Sequence, residues 1–196
     1  MPSTLLKLGL GAAGVAGFCL LLGRSRPKPP YLTMGDSIAE GLGRALERLA
    51  PGRAATEARS GEGSAVSGRF AVGRLTMHPE TKTVVLSTGV NSLGDKGAAE
   101  VMDETVAIVD QMRALGRQVV LVGPPPAFGM ADADDTWRSN LAALERLHGR
   151  MASRISLWQL LGDPEHPGYF LEQYGTPGGL HPNAAGYERV AHAILG

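Results

Sequence analysis

Two residues far apart in the chain have the types and settings of a nucleophile and its base. Ser37 follows the short apolar segment Tyr31–Met34 and stands within Gly35-Asp36-Ser37-Ile38. His181 stands in Leu180-His181-Pro182-Asn183, just before the last helical pattern. A serine at a strand-to-helix turn has the geometry of an exposed nucleophile, and an imidazole can take its proton. The two residues therefore suggest acyl transfer through a serine.

Two further residues could stabilise the negative charge on an attacked carbonyl oxygen. Gly61, in Ser60-Gly61-Glu62-Gly63-Ser64, could bring its backbone N–H close to a ligand because it has no side chain. Asn91, in Gly89-Val90-Asn91-Ser92, could offer its side-chain NH₂ group to the same oxygen. Together with the N–H of Ser37, these groups would form an oxyanion hole.

Each of these four residues also has a simpler structural interpretation. Ser37 could cap the N-terminus of a helix, and His181 could be a turn residue that bonds to the backbone. Gly61 could be an ordinary turn glycine, and Asn91 could form an Asx-turn. For Ser37 and His181 taken singly the structural interpretation is the stronger one, so the functional hypothesis depends on the ordered set.

Strand and helix patterns alternate from residue 31 onward, which is typical of an α/β fold with a parallel sheet and helices on both faces. Strands are expected at Tyr31–Met34, Ala55–Ala58, Thr83–Ser87, Gln118–Val122 and Arg154–Trp158. Helices are expected near Ile38–Leu49, after Ser64 to about Leu75, and near Ala98–Leu115, Asp134–Met151 and Ala184–Leu195. Ligands bind such sheets outside the carboxyl ends of the strands. Ser37, Gly61 and Asn91 should therefore gather at one edge of the sheet.

The ordered set resembles the SGNH, or GDSL-type, hydrolase family over about residues 30–196. Gly35-Asp36-Ser37-Ile38 is similar to the first block of that family, Ser60-Gly61 to the second and Gly89-Val90-Asn91-Ser92 to the third. Leu180-His181-Pro182-Asn183, with Gly186-Tyr187, is similar to the last block. The resemblance implies a three-layer, flavodoxin-like fold and hydrolysis of esters without a metal or another cofactor. It also implies that Ser37 is the nucleophile, that His181 is the base, and that Ser37, Gly61 and Asn91 form the oxyanion hole.

The chain departs from the family pattern at two positions. Ser92 stands where the third block usually has Asp, and Gly178 stands where the last block usually has the catalytic Asp. Such an acid orients the imidazole, and disabling it in triad enzymes costs roughly 10⁴-fold in turnover. Three explanations remain open: a backbone carbonyl accepts from His181 Nδ1–H, another acid such as Glu172 or Asp163 reaches it, or the site is degenerate and only binds.

The N-terminal 30 residues differ from the remainder. Residues 5–22 are apolar and rich in glycine and alanine, and they approach the ~20 residues that span a bilayer. We expect an uncleaved membrane anchor, with a cleavable signal peptide or a buried core helix as alternatives. Basic residues flank the apolar stretch on both sides, so charge does not fix its orientation: Lys7, Arg24, Arg26 and Lys28. The expected organisation is an anchor and Pro-rich linker over 1–30, followed by a hydrolase-like domain over 31–196.

Composition limits the partners. The whole chain has 196 residues, with 19 Lys and Arg against 19 Asp and Glu, but four bases and no acid fall within 1–30. Residues 31–196 therefore carry a net charge of −4, which argues against nucleic acid as a ligand. Cys19 is the single cysteine, so neither an internal disulfide nor a cysteine-based metal site can form. The oligomeric state does not follow from the sequence.

The function expected from these features is that of a membrane-anchored serine esterase. An exported domain, periplasmic or extracellular, would favour acetylated glycans or lipids of the cell envelope as substrates. The first alternative is a glycan- or lipid-binding domain on the same fold that has lost catalysis. The second is a cytosolic thioesterase-like protein. Loops at 127–135 and 162–179 are the expected walls of the substrate pocket.

Overall fold

The computed structural model describes residues 30–196, which form one parallel sheet of five strands in the order β2-β1-β3-β4-β5. The strands are β1 Tyr31–Gly35, β2 Ala54–Ala58, β3 Thr83–Ser87, β4 Gln118–Val122 and β5 Arg154–Ile155. The helices are α1 Ser37–Leu49, α2 Ser64–Met77, α3 Ala98–Ala114, α4 Asp135–His148, α5 Leu157–Leu161 and α6 Ala184–Leu195. A short 3₁₀ helix, Val90–Ser92, follows β3.

Helices cover both faces of the sheet, and the inner strands β1, β3 and β4 are accordingly mostly apolar, whereas the edge strand β2 is only partly buried. In β3, Val84 and Leu86 face α2 and α3, where they pack with Leu75 and Ile108. Val85 faces the opposite side and packs against α1, α5 and α6. This arrangement confirms the predicted α/β fold with a parallel sheet between two helical layers.

The turn between β1 and α1 requires particular residues at two positions. Gly35 has a φ of +126°, and a Cβ on it would lie 1.7 Å from the carbonyl oxygen of Ser87, so only glycine fits there. Asp36 caps α1 by accepting a hydrogen bond from the N–H of Ile38 at 2.9 Å. Ser37 is therefore the first residue of the helix and not its cap, which leaves its hydroxyl available for other contacts.

One strand prediction is wrong in its extent. The predicted final strand Arg154–Trp158 ends at Ile155, and α5 begins at Leu157. The reason is Ser156, whose hydroxyl accepts from the N–H of Gln159 at 3.2 Å and caps the helix. The apolar residues beyond it therefore follow helical spacing, and they fill the core between the sheet and α6.

The predicted membrane anchor at residues 5–22 lies outside the described residues. Within residues 30–196, no helix is both long enough and apolar enough to cross a membrane.

Candidate active site

The candidate site lies at the carboxyl ends of three neighbouring strands. Gly35 at the end of β1 is in register with Ala58 of β2 and with Ser87 of β3. Ser37, Gly61 and Asn91 each follow one of these strand ends within a short turn. The strand order thus brings the three segments to one edge of the sheet, as the sequence predicted.

His181 reaches this edge from the loop before α6 and contacts the predicted nucleophile. Its Nε2 atom lies 2.7 Å from Ser37 Oγ, which is hydrogen-bonding distance. Burial of the imidazole lowers the pKa of His181, so the ring is neutral and can accept a proton near neutral pH. This contact is the geometry that general-base activation of a serine requires.

The backbone around His181 is held by hydrogen bonds from the preceding loop. The N–H and hydroxyl of Thr176 both donate to the carbonyl oxygen of His181, at 3.1 and 2.9 Å. Asn183 caps α6 by accepting from the N–H of Gly186 at 3.0 Å, while its Nδ2 donates to the carbonyl oxygen of Gln173 at 2.9 Å. The position of the imidazole therefore depends on the whole loop and on the helix that follows it.

Gly178 occupies the third position of a tight turn, and this explains the glycine. Its φ is +62°, Pro177 precedes it, and the N–H of Gly179 donates to the carbonyl oxygen of Thr176 at 3.0 Å. Proline second, a positive-φ glycine third and a bond from the fourth residue to the first are the marks of a type II turn. The turn therefore favours glycine at the position where an acid was expected.

None of the partners considered for His181 Nδ1 makes that contact. Asp163 accepts from the N–H of Glu165 at 2.8 Å and bonds to His166 Nδ1 at 2.9 Å. Glu172 is exposed, and within residues 30–196 neither a carboxylate nor a carbonyl is hydrogen-bonded to His181 Nδ1. Ser37 and His181 thus form a two-residue contact without a third orienting group.

The predicted oxyanion donors are free to bind. Among residues 30–196, the N–H groups of Ser37 and Gly61 have no acceptor; the first lies in the opening turn of α1, where helical amides are unpaired. Asn91 Nδ2 donates one hydrogen to the carbonyl oxygen of Glu62 at 3.2 Å. An amide has two such hydrogens, so the second remains available to a ligand.

Comparisons with known proteins identify the family of the chain. A family model described as the GDSL-like lipase/acylhydrolase family matches residues 33–189. The chain belongs to this family. None of the curated proteins compared matches it.

Solved structures of GDSL-like and other esterases share the fold. A GDSL-like lipase from Bacteroides thetaiotaomicron has a TM-score of 0.66 at 18% identity, covering 93% of this chain and 94% of its own. Est24, a carbohydrate acetylesterase from Sinorhizobium meliloti, has a TM-score of 0.68 at 17% identity. The match covers 85% of this chain and 96% of Est24. An inhibitor-bound aryl esterase from M. smegmatis has a TM-score of 0.69 at 13% identity. The match covers 85% of this chain and 96% of the aryl esterase chain.

In this GDSL-like chain the contact between Ser37 and His181 lies in a groove of about 420 Å³ between α1 and α6. Its lining residues are Ser37, Glu40, Gly41, Arg44, Arg48, Ser60, His181, Ala184 and Tyr187. Arg44 bonds to Glu40 at 2.8 Å, and Arg48 to Glu188 at 3.4 Å. The loops expected to form the pocket walls instead line a separate cavity of about 220 Å³, which includes Gly129 and Gly178 but neither Ser37 nor His181.

Two features of the GDSL-like site were missed by the sequence analysis. Asp36 is buried, its Oδ2 has no hydrogen-bond partner among residues 30–196, and burial raises its pKa from 3.8 to about 7. Glu62 and Arg74 form a buried ion pair directly behind Gly61. The family motif contains Asp36 and could have drawn attention to it, whereas nothing in the sequence connects Glu62 with Arg74.

Ser92, which replaces the usual Asp of the third block, has a defined structural position. Its hydroxyl accepts from the N–H of Ser64 at 3.0 Å and lies 3.1 Å from the Ser64 hydroxyl. It therefore joins the start of α2 to the segment that carries Asn91. Within residues 30–196, no cluster of His, Cys, Asp and Glu side chains is arranged to hold a metal ion.

Proposed function

We propose that the chain is a serine esterase in which Ser37 and His181 act as a catalytic dyad. The observation that carries the proposal is the distance of 2.7 Å between His181 Nε2 and Ser37 Oγ. The family as a whole hydrolyses esters, and the blocks that contain its reactive residues are present in order in this chain.

In the proposed reaction, Ser37 Oγ attacks the carbonyl carbon of an ester while His181 Nε2 takes the hydroxyl proton. The resulting tetrahedral intermediate carries its negative charge on the former carbonyl oxygen. His181 then returns the proton to the leaving alcohol oxygen as the C–O bond breaks, which leaves an acyl group on Ser37. Water, deprotonated by His181, then attacks the acyl carbonyl carbon. As the bond between that carbon and Ser37 Oγ breaks, His181 returns the proton to Ser37 Oγ and the carboxylic acid is released.

The oxyanion of the intermediate would be bound by the N–H groups of Ser37 and Gly61 and by Asn91 Nδ2. These groups are suited to the task because each still has at least one N–H hydrogen that is not donated to an acceptor within residues 30–196. Donors that are fixed before the reaction need no reorganisation when the charge forms, and losing one typically costs roughly 10²–10³-fold in turnover.

The groove favours a short acyl group on a polar alcohol over a long lipid chain. Charged side chains line it, including Glu40, Arg44 and Arg48, and long hydrocarbon would be poorly solvated against them. An acetylated glycan of the cell envelope fits this chemistry. The carbohydrate acetylesterase among the structural neighbours agrees with this choice.

The location of the enzyme is part of the same proposal. The apolar residues 5–22 would anchor the chain in a membrane, with the hydrolase domain outside the cytoplasm and close to envelope glycans.

A second function is favoured by one observation, the glycine at position 178. Without an acid to orient His181, the site could bind an acylated glycan and fail to cleave it. The two functions differ in whether Ser37 becomes acylated.

Covalent labelling of the purified full-length chain tests the proposal. A fluorophosphonate, which reacts with activated serines, should add to Ser37, and peptide mass spectrometry should locate the added mass there. Ser37→Ala should remain unlabelled and lose hydrolysis of 4-nitrophenyl acetate. Ser60→Ala is the matched control, because Ser60 lines the same groove without contacting His181, and it should label like the wild type. If the wild type neither labels nor hydrolyses the ester, the binding function is the better account.

A further inference from the structure

A buried ion pair lies immediately behind the predicted oxyanion hole. Glu62 follows Gly61 directly, and Arg74 lies in the later part of α2. The two side chains are only 4% and 5% exposed, respectively. Arg74 Nη1 donates to Glu62 Oε1 at 2.6 Å and Arg74 Nη2 to Glu62 Oε2 at 2.5 Å, so the pair is bidentate.

Both carboxylate oxygens of Glu62 accept hydrogen bonds. The hydroxyl of Ser67 also donates to Oε1, at 2.7 Å. Burial opposes the charged form of Glu62, but the hydrogen bonds from Arg74 and Ser67 outweigh it and lower the pKa of the carboxyl. Glu62 is therefore ionised at neutral pH and held by three donors.

Stability alone does not explain why such a pair is buried. Removing two charges from water has a large desolvation cost, and replacing buried pairs by apolar residues is often neutral or stabilising. Buried pairs of this kind fix geometry, because each charge accepts few arrangements of its partner.

The pair is connected to both segments that carry oxyanion donors. The carbonyl oxygen of Glu62 accepts from Asn91 Nδ2 at 3.2 Å. The hydroxyl of Ser67 accepts from Thr88 Oγ1 at 3.1 Å, and Thr88 begins the segment that leads to Asn91. Glu62 thus joins the turn after β2 to the turn after β3 through its backbone and through its side chain.

Gly61 itself has little else to hold it. Its φ is +77°, the residue is exposed, and the position where a Cβ would lie has no atom within 4 Å. A peptide in that setting has no side-chain packing to fix its orientation. The neighbouring Glu62, by contrast, is anchored on both carboxylate oxygens.

We propose that the Glu62–Arg74 ion pair is a positioning device that holds the N–H of Gly61 and the side-chain amide of Asn91 in the geometry that binds the oxyanion. Neither residue touches the substrate. The inference rests on the proposed esterase function, since it concerns the transition state of that reaction.

The test uses three variants of the full-length chain. Glu62→Gln keeps the shape of the side chain and breaks the charge pairing, and Arg74→Met removes the guanidinium. Arg74→Lys keeps the charge and loses the bidentate bond. With 4-nitrophenyl acetate, we expect Glu62→Gln and Arg74→Met to lower kcat by about 10- to 100-fold with KM changed less than threefold, since oxyanion binding acts in the transition state. Arg74→Lys should retain more activity than Arg74→Met.

A transition-state analogue separates positioning from a general loss of structure. A boronic acid forms a tetrahedral adduct with an active serine and places an oxygen in the oxyanion hole. Its affinity should fall in Glu62→Gln and Arg74→Met by the same factor as kcat. Labelling of Ser37 by the fluorophosphonate should still occur, because the Ser37–His181 contact does not involve the pair.

The ion pair between Glu145 and Arg154 provides the matched control. It is partly buried, has a distance of 3.0 Å and joins α4 to β5, on the far side of β4 from the nucleophile strand. Arg154→Met should lower the melting temperature and leave kcat and boronate affinity unchanged.

The outcomes are distinct. If Glu62→Gln and Arg74→Met keep wild-type kcat, or lose total activity only in proportion to the fraction of protein that is folded, the pair is structural and the inference is overturned. If the wild type itself neither labels nor turns over the ester, the proposed function fails and the inference fails with it.

Discussion

The carbonyl oxygen of Gly129 is the nearest atom to the place that a side chain on Gly178 would occupy, at 3.8 Å. Gly129 and Gly178 both line the cavity of about 220 Å³ described above. A side chain at position 178 therefore meets no steric obstacle, and the cost of adding one comes from the positive φ of the turn. That cost is about 1 kcal/mol for most residues and is smaller for Asp and Asn.

Gly178→Asp should raise turnover relative to Gly178→Asn. Both side chains place the same strain on the turn, but only the carboxylate can orient His181 and stabilise its charged form. We expect Asp to exceed Asn by about 10-fold in kcat/KM, equivalent to ~1.4 kcal/mol of barrier. The measurement is ester hydrolysis by both purified variants and the wild type. Equal rates for Asp and Asn would mean that a carboxylate at this position does not reach the imidazole.

The pH dependence of hydrolysis should reflect a histidine without an acid partner. Burial lowers the pKa of His181, and no opposing charge raises it. The value of kcat/KM should therefore rise with pH in one step whose midpoint lies below about 6.5, the ordinary imidazole value. A midpoint above about 7.5 would contradict a dyad. The profile should also be recorded in Asp36→Asn, because the Asp36 carboxyl precedes Ser37 and titrates at about 7.

Asp36 should make the folded state less stable as the pH rises. The pKa of its carboxyl is about 7 in the folded state and 3.8 in an exposed setting such as the unfolded chain. As the pH rises, the unfolded chain therefore releases this proton at a lower pH than the folded one. The contribution of Asp36 to stability is complete below pH 3.8 and is lost between that pH and about 7. The full loss is on the order of 4 kcal/mol.

Asp36→Asn removes this titration while keeping an oxygen that can accept from the N–H of Ile38. In denaturant unfolding at pH 5, 6, 7 and 8, the stability of Asp36→Asn relative to the wild type should increase with pH. All other groups titrate alike in the two proteins, so parallel curves would show that Asp36 stays ionised across this range.

Removal of residues 1–29 should leave a folded domain. The carbonyl oxygen of Pro30 accepts from the N–H groups of Lys82 and Thr83, both at 3.0 Å. Within the described residues, hydrogen bonding to the sheet therefore starts at residue 30. We expect the truncated chain to stay out of the membrane fraction and to melt within a few degrees of the full chain in detergent. Removal of residues 1–31 is the control and should lower the melting temperature clearly. Loss of folding in the shorter truncation would contradict a separable N-terminal segment.

The sequence predicted the fold well because continuous β-branched strands leave few alternatives. Thr83–Ser87 and Gln118–Val122 appear at the predicted bounds, since such strands must be buried on both faces. The extent of β5 was missed because the apolar residues after Ser156 suit a strand or a helix, and one capping hydroxyl decides between them. The positions of Ser37, Gly61 and Asn91 just after predicted strands indicated that these segments meet at one edge of the sheet.

Other parts of the site depend on contacts between distant residues. The pairing of Glu62 with Arg74 has no sequence signature, because a helix must first bring the two side chains together. The groove also differs from the expected one, since its walls come from α1 and α6 and not from the long loops. Such features follow from packing, which periodicity does not reveal.

The short β5 divides the sheet into two parts with different local stability. It pairs with β4 at only two positions, whereas β1 pairs with β2 and with β3 at five positions each. Amide protons of β5 should therefore exchange with solvent through local opening, while those of β1 and β3 exchange only when the whole domain unfolds. Ser37, Gly61 and Asn91, the proposed nucleophile and oxyanion donors, all follow the slowly exchanging strands or their neighbour β2. If the proposed esterase function holds, a form of the protein whose β5 edge has opened should still turn over substrate, and residual activity during heating would then report on the central strands and not on the complete fold.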